Sequence, residues 1–347
     1  MQALHLIAPG RLEWRDTPTP ELTHPGDALV RPIAVALCDA DVALLRGEFP
    51  VVGPFPFGHE FVAEVVQTGE GVGGFTPGQR VVVPVQISCG ECTRCQAGNT
   101  AFCANVRQPA AWGLGAFGGN WPGAFADLVR VPFARHMMVP VPSGIDPIAV
   151  ASVGDNVADA WRAVVPPLRE LPGAAVLVVG HGSIGLFAVA IAVASGASRV
   201  DYLDTDPDRL ALAETLGGTP IEGQRHRVGG YPIVVDASFT GAGLDTALRS
   251  VAACGICTSV FPGFEDVPIP VFTMWRRSVR FHTGVANCRS HMPEVLELVQ
   301  SGRIRPELVT SEVVQWKDAA AALAAPSLKP VVVRDDGALQ PIPGDLE

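Results

Sequence analysis

Four cysteines crowd one stretch of 15 residues: Cys89, Cys92, Cys95 and Cys103. Three thiols at three-residue spacing, with a fourth eight residues on, can wrap one tetrahedral zinc and fill every coordination position. A closed site of this kind stores folding energy and leaves no room for chemistry. A redox CxxC is disfavoured, because two more cysteines share the lobe. Two further residues with ligand chemistry stand apart, Cys38 in Leu37-Cys38-Asp39-Ala40-Asp41 and His59 in Gly58-His59-Glu60. Spacing alone does not join them, and by type each reads as a core thiol and a satisfied histidine. Cys254 and Cys257 lie three apart in a strand-like run, 251–260, and read as buried thiols on opposite faces.

A second pattern is Gly180-His181-Gly182-Ser183-Ile184-Gly185, which fits G-x-G-x-x-G. Its glycines allow a tight turn, close approach of a pyrophosphate and tight helix-to-strand packing. The following helix offers free N–H groups and a positive dipole end to the phosphates. The next strand ends at Asp204, 19 residues beyond Gly185. An acid there can accept both ribose hydroxyls and repel a 2′-phosphate, so NAD is favoured over NADP. Asp206, followed by Pro207, is expected to cap the helix after it.

These residues need elements to hold them. Up to about residue 146 the chain is short β-like runs broken by Gly and Pro (28–35, 61–67, 79–85, 126–131), an irregular, mainly antiparallel β domain. From about 147, strand-like runs alternate with helical ones (176–179, 184–195, 199–203, 208–216, 233–237, 244–252), as βαβ units of a doubly wound parallel sheet do. A helix at 292–301 and short strands at 309–314 and 330–334 follow. Residues 174–197 carry no charge over 24 positions and imitate a membrane span, but a strand, a glycine turn and a buried helix account for their glycines. Apolar residues at 48% and charged residues at 17% exclude a disordered scaffold. A net charge of −10 argues against nucleic-acid or anionic-membrane partners. The first residues have no basic region followed by an apolar one, so a cytoplasmic location is expected, with cysteines as ligands or buried thiols.

Taken in order, Cys38 to Asp41, Gly58-His59-Glu60, Gly78-Gln79-Arg80-Val81, the four-cysteine lobe, Gly123-Ala124-Phe125-Ala126, the glycine turn and Asp204 through Arg209 resemble the zinc-dependent alcohol dehydrogenases of the medium-chain dehydrogenase/reductase (MDR) superfamily. The resemblance spans nearly the whole chain. It implies a GroES-like catalytic domain from 1–147 and 288–347, carrying a structural zinc lobe at 84–110, and a Rossmann NAD-binding domain at 148–287. It implies two zinc ions per chain, one structural on Cys89, Cys92, Cys95 and Cys103 and one catalytic on Cys38 and His59. The third catalytic ligand falls in Gly154-Asp155-Asn156, hence Asp155. Glu60 would lie beside that metal and Asp41 would orient His59. Gly180, Gly182, Ser183, Ile184, Gly185, Asp204 and Arg209 would bind the dinucleotide. The expected activity is hydride transfer between NAD(H) and an alcohol or carbonyl. A homodimer or homotetramer is implied, with the run 267–272 as a candidate edge strand.

One departure matters. Two positions after the zinc cysteine the family carries Ser or Thr, whose hydroxyl starts the relay that moves the alcohol proton; this chain has Ala40, and Ala43 where some members have a histidine. A methyl group cannot relay a proton. Asp39, Glu60 or a water chain would have to replace it. The alternative is a reductase of an iminium ion or conjugated C=C, whose hydride acceptor needs no relayed proton at zinc. A remoter alternative is a non-catalytic nucleotide-binding protein. Phe49, Phe55, Trp112, Trp121 and Trp275 are candidate pocket walls as well as candidate core.

Overall fold

Val176-Leu177-Val178-Val179 is apolar on both faces, and the strand Val176–Val179 is buried along its whole length at the centre of a parallel sheet. The computed structural model describes residues 1–49, 51–261 and 263–334; the expected C-terminal share of the catalytic domain continues into 335–347, outside the described residues. Among the described residues this sheet has six strands, in the order Thr219–Glu222, Val200–Asp204, Val176–Val179, Tyr231–Asp236, Val251–Ser259, Arg280–Thr283, all parallel. The helix Gly182–Ala194 is apolar all round because it is covered along most of its length, packing against the helix Asn156–Glu170, with Val193 near its end exposed. The uncharged stretch is thus a core strand and a core helix, and no helix among the described residues is long and apolar enough to cross a membrane.

The other part is mainly antiparallel, with one parallel pair between Glu312–Gln315 and Pro330–Val333. Ala28–Ala36 pairs with Glu60–Thr68, Val129–Val131 and, from the far end of the chain, Pro330–Val333. Register explains how distant residues meet. Ala36 lies opposite Glu60, so Cys38, two residues past one strand, and His59, one residue before the other, emerge at the same sheet end. Phe61 lies opposite Val83, and Val85 just beyond donates its N–H to Gly154 at 3.0 Å, which brings Asp155 to that end too.

Two expectations need correction. The run 267–272 is not a strand. Pro268 and Pro270 lack ladder donors, the chain there is irregular, and the helix Val271–Arg277 follows, so among the described residues the edge of the parallel sheet on this side is Arg280–Thr283. Cys254 is not buried: it sits at positive φ (60°) where the pairing slips register, and is exposed, while Cys257 is buried. The helix Asn156–Glu170 runs through Pro166 and Pro167, residues that hide its length in the sequence.

Candidate metal and dinucleotide site

Cys38 lies just past the strand Ala28–Ala36 and caps the helix Asp39–Arg46. Its Sγ accepts from the Ala40 N–H at 3.4 Å, while Asp41 Oδ2 accepts the Cys38 N–H at 3.1 Å. The other Asp41 oxygen lies 3.3 Å from His59 Nδ1, in contact but off the line of a hydrogen bond, so both atoms are buried without a hydrogen-bond partner. Gly58, at φ 90°, turns the chain into His59; a Cβ there would stand 2.4 Å from the Phe125 ring. On its far side His59 Nε2 faces Asp155 Oδ2 at 3.2 Å. Asp155 stands at the N-cap of Asn156–Glu170 yet makes no capping bond. A carboxylate that forgoes the free N–H groups of its own helix is committed elsewhere, here to His59 and Cys38.

One ligand atom from each of Cys38, His59 and Asp155 lies within 4.8 Å of the others. Bonds of tetrahedral zinc to nitrogen and oxygen place those atoms about 3.4 Å apart, so the 3.2 Å separation of His59 and Asp155 fits a shared ion. Three protein donors of S, N and O type leave a fourth position open, and the Asp155 side chain is the partly exposed one, at 14%. Burial and the Asp155 charge push the Cys38 thiol up. His59 is pulled down by burial but held well above the ordinary range by Asp41 and Asp155. The negative charges of Asp41 and Asp155 that hold His59 up are charges a cation would balance.

Behind it lies a buried polar network that sequence reasoning missed. Asn156 donates its side-chain Nδ2 to Cys38 Sγ at 3.1 Å and its backbone N–H to Glu60 Oε1 at 2.8 Å. The Asn156 Oδ1 accepts from Lys329 Nζ and, at 3.1 Å, from Ser183 Oγ. Lys329 is fully buried and ion-paired with Glu60 Oε2. Burial raises the Glu60 carboxyl to about 7, with Lys329 opposing the rise. The one signal in the sequence was a lysine entering an apolar strand, Leu328-Lys329-Pro330-Val331.

Ser183 belongs to the glycine turn, which therefore sits next to the ligand set. Gly182 has φ 67°, and a Cβ on it would be 2.6 Å from the Asp39 carboxylate. His181, the N-cap of the helix Gly182–Ala194, makes no side-chain cap. The cap comes from across the molecule: Asp39 accepts from the Ser183 and Ile184 N–H groups at 3.0 and 3.3 Å, and the Ser183 hydroxyl lies 3.0 Å from Asp39 Oδ1, shared with Asn156. This end of the helix thus holds a two-oxygen anion, the property a pyrophosphate needs. Asp204 ends its strand beside the turn, where five donors fill its carboxylate: the Tyr202 hydroxyl, two Arg209 nitrogens, and the Thr205 and Asp206 N–H groups. No lone pair is left over for ribose hydroxyls in this arrangement. Asp206 caps its helix, accepting from Asp208 and Arg209.

The four-cysteine lobe is built differently. All four Sγ atoms lie within 4.8 Å of one another. Backbone N–H groups of Cys89, Glu91, Cys92, Cys95 and Ala104 point at sulfurs at 3.4–3.5 Å. The N–H donors of Cys95 and Ala104 draw Cys92 down to about 6, whereas burial pushes Cys95 up to about 12. Sulfurs on a tetrahedron of zinc–sulfur bonds sit about 3.8 Å apart, close to the 4.0 Å between Cys92 and Cys103. Both clusters therefore fit zinc. Of the candidate pocket aromatics, Phe49 packs edge-on against Phe117 and Phe264, Trp112 is buried between Phe61 and Trp121, and Trp275 is 74% exposed on the helix Val271–Arg277.

Residues 24–143 match the alcohol dehydrogenase GroES-like domain family. The chain is 32% identical over 314 residues to a probable zinc-binding alcohol dehydrogenase of Mycobacterium tuberculosis, covering 88% of this chain and 79% of that one. Its fold superposes with a TM-score of 0.88 on the alcohol dehydrogenase TADH from Thermus sp. ATN1, at 31% identity over 96% of this chain and 100% of that one. A zinc-binding dehydrogenase from Sinorhizobium meliloti, solved bound to NADP, gives a TM-score of 0.80 at 28% identity, over 96% of this chain and 98% of that one.

Proposed function

Because the chain belongs to the zinc-dependent alcohol dehydrogenase family of the MDR superfamily, we propose that it transfers a hydride between NAD(H) and an alcohol or carbonyl compound. Membership makes it a zinc-dependent oxidoreductase; substrate and dinucleotide are the further step. The observation that carries the step is the path from Cys38 through Asn156 to Ser183, which sets an incompletely filled ligand set beside the glycine turn. When bound, zinc on Cys38, His59 and Asp155 supplies a Lewis acid for a substrate oxygen, and the nicotinamide supplies or takes the hydride. The chain's residues hold that arrangement. Asp41 sits against the back of His59, the Asn156 amide tempers the charge on Cys38, and Lys329 balances Glu60.

The preference for NAD(H) rests on charge. Asp204, Asp206 and Asp208 surround Arg209, and its guanidinium is already engaged by Asp204 and Asp206, so none of these residues offers a free cation to a 2′-phosphate. The same reading includes a structural zinc on Cys89, Cys92, Cys95 and Cys103, hence two zinc ions per chain. It also includes a cytoplasmic homodimer or homotetramer, for which the open edge Arg280–Thr283 offers a pairing strand.

A second reading has its own observation. Ala40 offers only a methyl, and Glu60, which could replace the missing relay, is occupied by Lys329 and Asn156. Hydride addition to an iminium carbon gives a neutral amine without any relayed proton. The test is oxidation of NADH, and of NADPH in parallel, by zinc-loaded protein across matched aldehydes, ketones, cyclic imines and enones. Carbonyl turnover supports the first reading; turnover of imines or enones with inert carbonyls replaces it with the second. Inertness towards the whole panel would refute both.

A further inference from the structure

The anion held at the glycine turn is one of the protein's own. Asp39 reaches from the end of the β domain, 144 residues away in sequence, to take the Ser183 and Ile184 N–H groups at the start of the helix Gly182–Ala194. These are first-turn donors of the helix that follows the G-x-G-x-x-G turn, the donors such a turn presents to a dinucleotide's pyrophosphate. The absent side-chain cap on His181 and the close fit of the carboxylate over Gly182 make the contact a seated one. A carboxylate and a pyrophosphate cannot share two N–H groups, and both are negative.

We propose that Asp39 is a latch on the pyrophosphate seat, which the dinucleotide must displace in order to bind. This rests on the reading of the glycine turn as the dinucleotide site. The latch lowers cofactor affinity by the fraction of time it holds the seat, and by the repulsion it exerts when displaced. It also joins the two parts of the molecule while the seat is held, because Asp39 opens the helix that Cys38 caps. Cofactor binding thereby releases a tie beside the ligand set.

Asp39→Asn and Asp39→Ala, compared with the unaltered protein, test this by direct binding, followed through NADH fluorescence and calorimetry with ADP-ribose and adenosine. A charged hydrogen-bond pair lost to the competitor corresponds to a gain of at least ~tenfold in affinity. The expected result is that gain for NADH and ADP-ribose, which share the pyrophosphate, and none for adenosine, which lacks it. Unchanged or weaker NADH binding in both variants would overturn the latch, as would an equal gain for adenosine, the mark of a loosened fold. Failure of the unaltered protein to bind either NADH or NADPH would instead remove the dinucleotide reading, and the latch with it.

Discussion

The two sulfur-containing clusters differ in how they are assembled. The lobe takes all its ligands from one loop, and backbone N–H groups of that same loop serve the sulfurs. The Cys38, His59 and Asp155 cluster gathers side chains 117 residues apart at its extremes, and its supporting bonds come from Asp41, Asn156 and Lys329 on three different segments. A local cluster can be closed and structural with little help. A dispersed one keeps an open position only because the whole fold holds it apart.

The sharpest way to break this contrast is to remove one sulfur from each. Cys95→Ser should strip the lobe's metal and lower the melting temperature severely, since structural zinc is worth roughly 10 kcal/mol or more. Cys38→Ser keeps an oxygen to cap its helix, so the melting curve should hardly move while turnover falls by ~10³ or more. If both variants lost stability alike, the division between structural and open sites would be wrong.

Next in size is Lys329. Lys329→Met leaves Glu60 buried without its cation, and denaturant unfolding should show a loss of about 3–5 kcal/mol. Pairing it with Glu60→Gln should recover much of that loss, whereas simple additivity would show the two side chains to be independent. A smaller effect is expected at Ala40. Ala40→Ser restores a hydroxyl, and alcohol oxidation should rise ~tenfold if only the relay's first member is missing. No gain at any pH would mean that the proton leaves by another route.

The smallest effect bears on how the lobe is held. Burial, aided by Arg289, lowers His136 to about 4, and its ring lies against Gly90 and 3.0 Å from the Ser88 hydroxyl. A histidine that stays neutral in the fold but ionises at about 6.5 when unfolded favours the native state above that pH. This contribution drains away as pH falls from about 6.5 towards 4, by at most ~1.4 kcal/mol per pH unit. His136→Gln should flatten the fall in unfolding midpoint between those pH values. An unchanged slope would place the acid sensitivity elsewhere, as in the thiolates.

The contrast also explains what the sequence made legible. The middle of the parallel sheet was readable because its central strands are compact apolar runs before a turn, and 176–179 was read to the residue; the edge strands Thr219–Glu222 and Arg280–Thr283, polar and mostly exposed, gave no such signal. The cysteine spacing was readable because the ligands share a loop. Cys38 and His59 looked unrelated because only the Ala36–Glu60 register brings them to one sheet end. Asn156 and Lys329 carried no spacing signal at all, since their partners are tertiary. Asp39 reads in sequence as a candidate stand-in for the proton relay, and its contact with the glycine turn depends on how the two parts of the molecule face each other. The edge at 267–272 was misread because apolar residues outweighed two prolines in the pattern.

Graded removal of zinc tests the central claim most directly, with metal content, NADH-dependent carbonyl reduction and melting temperature followed on the same samples. The account predicts that activity vanishes as zinc falls from two ions per chain to one, with the melting temperature nearly constant, and that the fold gives way only as the second ion leaves. Loss of activity in step with unfolding, or full activity with one zinc per chain, would contradict it.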